Sequence, residues 1–279
     1  VFASLFLLSC YFLVCFLKEK NQRPERLNLI LTAVFFGLAL GTKWSALLGL
    51  PIFLLIIVYK QKISVRTWLT SLAVFLVVIF ITYVSSFALF LRNNSPAQLV
   101  SLHSQMINYH SQVVNRIVSQ DKKLERQEKE YKAIFWPLNN IFSYRFERSG
   151  DTVKSVILFY NPAILWGALI ATLVFVLNLV RKREYSVEKL LLSALFLIFW
   201  FPFIFSPRIV YPYYWLAGIP FGSILLAKIL TEKDKKNNQV VLGYVITAIL
   251  LFILYYPLLS NMPVKITYFR ILTGTIGFD

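Results

Sequence analysis

The chain has 279 residues, 58% of them hydrophobic and 15% charged, with a mean hydropathy of +0.65. A soluble domain carries about 45–50% apolar and about 25% charged residues, so a soluble globular enzyme is disfavoured from the start. The net charge of +16 would suggest nucleic acid in a soluble protein; in so apolar a chain it reports membrane topology instead, and no nucleic-acid partner is expected.

Taken in order, the apolar runs predict spans at 1–17, 28–42, 44–59, 67–91, 157–180, 190–206, 209–230 and 239–259, each measured against the roughly 17–25 residues that cross a bilayer core. The first run opens on Val1, already apolar and without the charged n-region of a signal peptide. The expectation is a fragment lacking an N-terminal part. Cys10 and Cys15 both lie inside it, which offers neither a disulfide framework nor a zinc site.

Residues 28–59 are too many for one ordinary span, and the connections argue for two. The segments 18–27, 60–66, 181–189 and 228–238 hold fifteen Lys and Arg residues. A double crossing puts all four on one side, which the positive-inside rule makes cytoplasmic. The turn at Lys43, the segment 92–156, the turn at Arg208 and the tail 260–279 then face outward. Within 92–156, Leu99, Leu102, Met106, Tyr109, Val113 and Ile117 follow steps of three and four, which predicts an amphipathic helix over 97–118 lying along the membrane surface. Residues 121–132 read as a solvated, charged turn or helix. The whole divides into about four spans in 1–91, an extracytoplasmic loop in 92–156, a four-helix transmembrane region in 157–259 and an extracytoplasmic tail in 260–279.

Lys43, in GLALGTKWS, is a cation at costly depth; it either snorkels beside an interfacial Trp44 or meets a lipid-linked phosphate. Arg208 stands among Pro202, Pro207 and Pro212, which free backbone groups and call for a wet or protein-lined cavity. Its guanidinium fork suits phosphate oxygens, with an interface anchor as the alternative. Tyr211, Tyr213, Tyr214 and Trp215 beside it also fit an aromatic belt at the membrane surface. His103 and His110 are two helical turns apart, about 10 Å of rise, so that helix alone cannot bring both to one metal. His103 reads as a surface residue. No metal-ligand cluster is visible, and the use of a divalent cation stays open. No Asp or Glu falls inside a span, which counts against a proton-coupled carrier.

Four stretches, read in order, resemble the protein O-mannosyltransferase family in its prokaryotic, phospholipid-carrier-dependent branch. Gly37 to Ser45 looks like its glycine-rich helix ending in Lys-Trp; Gln105, Met106, Tyr109 and His110 look like the start of its outer loop; Trp136-Pro137, Tyr144, Asn161-Pro162 and Trp166 look like the end of that loop and the next helix. Arg208, Tyr211, Tyr213, Pro220 and Phe221 look like its Arg-x-x-aromatic-x-Tyr run. Tyr214 stands where many eukaryotic members have His, and Ala217 where Pro is common.

The resemblance implies an all-α polytopic membrane protein of the GT-C glycosyltransferase class in a bacterial plasma membrane. Its donor would be a polyprenyl-phosphate sugar, with mannose as the expected hexose, and its acceptor a protein Ser/Thr hydroxyl. Arg208 and Lys43 would bind the donor phosphate, and Trp44, Tyr109, His110, Trp136, Asn161, Tyr211 and Tyr213 would line the substrate pocket. The family's acidic pair lies in a loop upstream of the stretch matched, so no catalytic carboxylate is expected in this chain. The competing readings are transfer to a lipid or glycan by the same architecture, and a non-enzymatic transporter or scaffold. The oligomeric state is open.

Overall fold

The computed structural model describes residues 1–60, 64–118, 132–138, 142–182, 186–206, 210–232 and 238–273. They form two units, Val1–Asp121 and Lys122–Asp279.

The first unit begins with α1 (Phe2–Lys18) and α2 (Gln22–Thr42), joined by a short connection in which the Glu19 carboxylate accepts from the backbone N–H groups of Lys20 and Asn21 at 2.9 Å each. Lys43 ends α2 by turning extended (φ −160°, ψ 124°), and a 3-10 segment over Trp44–Gly49 leads into α3 (Leu50–Lys60). Pro51 sits in the first turn of α3, where its missing N–H costs little. With six residues in the stretched 3-10 form and eleven in α form, Trp44–Lys60 reaches about 28 Å, close to a bilayer core of about 30 Å. The unit continues with α4 (Val65–Ser85), α5 (Ala88–Asn93) and α6 (Pro96–Val118).

Side-chain pairings fix the directions of these helices. Ser9 Oγ donates to the Thr32 carbonyl at 2.8 Å and Phe6 packs on Phe36, so α1 and α2 run antiparallel. Phe6 also packs on Phe53, and Lys60 Nζ donates to the carbonyls of Leu17 (3.1 Å) and Glu19 (2.6 Å), so α3 returns alongside α1. Gly37 faces Thr82, Gly41 faces Ser86, and Arg26 lines the same cavity as Arg66; α4 therefore runs parallel to α2. Connections 19–21 and 61–64 thus emerge at one end of this bundle and Lys43 at the other, as the double crossing of 28–59 requires. At the centre Phe6, Phe36, Phe53 and Phe75, one from each of α1 to α4, are buried with ring centroids 5.0–6.2 Å apart.

The second unit contains strands within the segment expected to be a plain loop. A 3-10 segment, Ala133–Leu138, precedes β1 (Phe142–Ser149) and β2 (Thr152–Leu158), an antiparallel hairpin turned at Gly150 (φ +58°). β3 (Pro263–Lys265) pairs antiparallel with β2, completing the order β1-β2-β3. Val153, Ser155 and Ile157 alternate inward, and Val153 and Ile157 pack with Leu258, Ile266 and Phe269. The boundary expected at 157 is therefore misplaced, because Ile157 and Leu158 belong to β2. The tail beyond 260 likewise belongs in part to this sheet and to a short helix.

The helices of this unit are α7 (Pro162–Lys182), α8 (Val187–Ile198), α9 (Phe201–Ile204), α10 (Ile219–Glu232), α11 (Asn238–Leu259) and α12 (Ile266–Thr273), with a 3-10 segment over Pro212–Ala217. Gly222 meets Phe196 and Ala168, and Lys228 pairs with Glu188, so α8 and α10 are antiparallel while α7 runs alongside α10. Tyr244 donates to the Ala163 carbonyl at 2.6 Å and Phe159 stacks on Tyr255, so α11 opposes α7. Connections 183–186 and 233–237 leave one end of this unit; the sheet and the segment 205–211 lie at the other. α11 stops in a Schellman turn: Asn261 is left-handed (φ 61°) and Met262 N–H donates back to the Pro257 carbonyl at 3.1 Å.

Among the described residues, five helical stretches are long and apolar enough to cross a membrane: Glu25–Thr42, Val65–Ser85, Pro162–Arg181, Val187–Ile204 and Gln239–Leu259. Phe2–Lys18, Trp44–Lys60 and Ile219–Thr231 are apolar but shorter. The expected run 67–91 is broken at Ser86-Phe87, and 209–230 is split by the 3-10 segment and Gly218.

Candidate functional site

In the first unit the candidate residues gather where α2 gives way to the 3-10 segment. Lys43 is half-buried there, and desolvation pushes its ammonium pKa below the ordinary lysine value. Next to it, Trp44 Nε1–H donates to the Tyr83 hydroxyl at 2.9 Å, and that hydroxyl lies 2.6 Å from His103 Nε2. His103 Nδ1 is 2.7 Å from the Leu99 carbonyl.

The direction of each bond follows from what the end groups can do. An indole N–H only donates and a carbonyl only accepts, so Nδ1 carries the proton, Nε2 accepts, and the Tyr83 hydroxyl points at His103. The Trp44 ring lies stacked with the imidazole at 5.8 Å, with Phe87 packing on it from 5.2 Å. His103 is thus not the surface residue expected from its helix position. The physical reason is local: α5 and the start of α6 fold back so that the fourth residue after Leu99 meets α4. The start of α6 is held by a reciprocal cap, in which Gln98 N–H donates to Ser95 Oγ (3.3 Å) and Gln98 Oε1 accepts from Ser95 N–H (2.6 Å). Tyr109 and His110 fall within α6, while their side chains lie outside the described residues.

In the second unit Trp136, Tyr211 and Tyr213 are linked through rings. Trp136 is fully buried against Phe203 (5.8 Å); Phe203 meets Tyr214 (4.9 Å), Tyr214 meets Tyr213 (4.6 Å), and Tyr213 meets Tyr211 (5.8 Å). Behind them Trp215 is also fully buried, stacked on Trp200 at 4.8 Å and donating to the Phe196 carbonyl at 3.0 Å. Trp215 is therefore core rather than membrane belt, and Tyr160 anchors it by an edge contact while donating to the Pro212 carbonyl. Arg208 lies outside the described residues. The chain on both sides of it is held, by the Phe203–Tyr214 contact and by buried Val210.

Asn161 has a structural use. Its Oδ1 accepts from Ala163 N–H at 3.1 Å, capping α7, and its Nδ2 donates to the Ala248 carbonyl of α11 at 2.8 Å. It stands at one edge of an apolar cavity of about 470 Å³ between α7, α10 and α11, lined also by Ile164, Leu226, Tyr244 and Phe252. Among the described residues no group of three or more His, Cys, Asp or Glu side chains is placed to hold a metal ion.

No protein-family model, no curated protein and no solved structure matches the chain. What the fold and its apolar helices define is a class, a predominantly helical membrane protein.

Proposed function

We propose that this chain is the multi-pass membrane region of a glycosyltransferase, with eight crossings in a bacterial plasma membrane, that takes a sugar from a polyprenyl-phosphate carrier on the extracytoplasmic side. The observation that carries the reading is the position of Lys43. It lies at the end of the first bundle opposite the basic connections 18–27 and 60–66, desolvated and flanked by the Trp44–Tyr83–His103 network. With those connections cytoplasmic, a half-buried cation faces outward among aromatic rings, where a lipid-linked phosphate would reach it. Further support comes from the four stretches that resemble the prokaryotic O-mannosyltransferases in order.

In the proposed reaction the acceptor hydroxyl attacks the anomeric carbon, the bond from that carbon to the phosphate oxygen breaks, and the lipid phosphate leaves with the bonding pair. Lys43 and Arg208 stabilise the charge that develops on the phosphate. The hydroxyl proton passes to a base, which the resemblance assigns to an acidic residue of an upstream loop. Trp44, Tyr109, His110, Trp136, Tyr211 and Tyr213 are proposed to line the donor and acceptor sites. Mannose and a protein hydroxyl are the substrates the resemblance favours.

Donor binding tests the proposal without requiring turnover. The detergent-solubilised chain should retain polyprenyl-phosphate mannose in native mass spectrometry in preference to the same polyprenol without phosphate. Truncating one partner of a desolvated charged pair typically costs roughly 2–5 kcal/mol, so Arg208→Ala should weaken retention at least ~30-fold, with Arg208→Lys in between. Equal retention of phosphorylated and unphosphorylated lipid would leave the transporter or scaffold reading.

A further inference from the structure

A second anion site is built at the opposite end of the first unit, independent of the transferase reading. α2 and α4 run parallel there, and their first turns enclose an open cavity of about 420 Å³. Arg26 of α2 and Arg66 of α4 line it, with the hydroxyls of Thr67 and Ser71 below them and the apolar side chains of Leu29 and Val74 deeper still. No acidic side chain lines it. The order along the groove is that of a phospholipid: charge, then hydroxyl-bonding glycerol, then hydrocarbon.

Two features distinguish this groove from a surface that is basic only because of topology. Lys60, at the same end, donates to two backbone carbonyls, a use that closes the bundle, whereas Arg26 and Arg66 come from separate helices to one cavity. Helical hydroxyls in this chain regularly turn back onto the carbonyl four residues earlier, as Thr32, Thr70 and Ser85 do at 2.7–2.8 Å. Ser71, which lines the cavity, makes no such bond to Thr67, so its hydroxyl is not drawn onto its own helix.

We propose that this groove binds an anionic phospholipid, its phosphate held by Arg26 and Arg66, its glycerol region against Thr67 and Ser71, and an acyl chain along Leu29 and Val74. Charge complementarity selects the occupant: a phosphate diester matches two guanidinium forks, and a net-neutral headgroup would set its own cation against them.

The test uses the whole chain in mild detergent, exposed to phosphatidylglycerol and phosphatidylcholine of identical acyl chains, with bound lipid read by native mass spectrometry. Phosphatidylglycerol should be retained in preference, and Arg26→Gln/Arg66→Gln should reduce its retention about 30-fold. Ser71→Phe keeps every charge but fills the groove, and should lose the lipid as well; its thermal unfolding midpoint, measured alongside, shows that the bundle is intact. Arg26→Lys/Arg66→Lys, which keeps the charge, should fall between wild type and the double Gln protein. Equal retention of the two lipids would overturn the proposal, as would a preference that survives both the double Gln change and Ser71→Phe. Displacement of the lipid by millimolar inorganic phosphate would overturn it too, since the site would then be one for the free ion.

Discussion

The Tyr83 hydroxyl lies 2.6 Å from Nε2 of His103, tying α4 to a helix whose polar face gave no hint of a buried partner. Because Trp44 donates to the same oxygen, three elements share one phenol. The imidazole is held in one tautomer and its ring plane is fixed by stacking on Trp44.

Removing that phenol oxygen should be felt at both ends. Tyr83→Phe leaves the Trp44 N–H and His103 Nε2 without their partner, and a half-buried orphan of this kind costs about 1–3 kcal/mol. We expect a lower unfolding midpoint in detergent. In the wild type, nitrogen NMR of labelled His103 should show the proton on Nδ1; finding it on Nε2 would sink the directed chain described for this site.

Lys43 supplies a pH dependence with a definite sign. Its charged form is present below its pKa, and burial lowers that pKa from the value of an ordinary lysine, which holds its proton to about pH 10. Retention of a lipid phosphate should therefore be strongest on the acid side and fall as pH rises through the lowered pKa, earlier than an exposed lysine would allow. Lys43→Arg, whose charge does not titrate in this range, should flatten the profile. A profile equally steep in Lys43→Arg would assign the titration to another group.

Topology is open to labelling. In a cysteine-free background, single cysteines at Lys20, Lys62, Glu184 and Lys235 should resist a membrane-impermeant thiol reagent applied from outside, while Glu125 and Lys265 should react. The pairings within each unit already put connections 19–21 and 61–64 at one end and 183–186 and 233–237 at one end. Labelling decides whether those ends share a face of the membrane, and reaction at Lys62 or Glu184 from outside would refute it.

The close approach of α2 and α4 depends on Gly37. A Cβ there would stand 2.8 Å from Thr82 Cβ and 2.9 Å from the Ile79 carbonyl oxygen, and the latter is backbone that cannot rotate away. Gly37→Ala should push the helices apart and destabilise the first unit by about 1–3 kcal/mol, despite alanine's better helix propensity. An unchanged or raised unfolding midpoint would show that the contact relaxes at no cost.

Much of this architecture could be read from apolar runs and from where the basic residues fall. The pairing of 28–42 with 44–59 came from charge alone, and the contacts of Lys60 and Gly37 give the same directions. The amphipathic stretch 97–118 matches α6, although the Ser95–Gln98 cap that starts it was a signal in plain view. The hairpin was missed for a physical reason: Phe142 to Leu158 alternates, but Ile157 and Leu158 abut the next helix and merge with its hydropathy. At the candidate site, Lys43 and Trp44 were legible because cost and spacing mark them. Tyr83 and His103 were not, since nothing local to either shows that α6 folds onto α4. Trp215 misled because a belt and a core both ask for aromatic residues, and only burial separates them.

The brevity of α10 has a consequence for the lipid around it. Its fourteen residues rise about 21 Å, well short of a hydrocarbon core of about 30 Å, and Pro212–Ala217 before it is coiled in irregular form. Ile224 on this helix is turned outward, so acyl chains rather than protein must accommodate the shortfall. Such hydrophobic mismatch costs a fraction of a kcal/mol per Å and is relieved by thinning of the adjacent bilayer. The chain should accordingly favour thin bilayers over thick ones, and a dimple in the membrane beside α10 would shorten the distance between lipid headgroups and the protein interior.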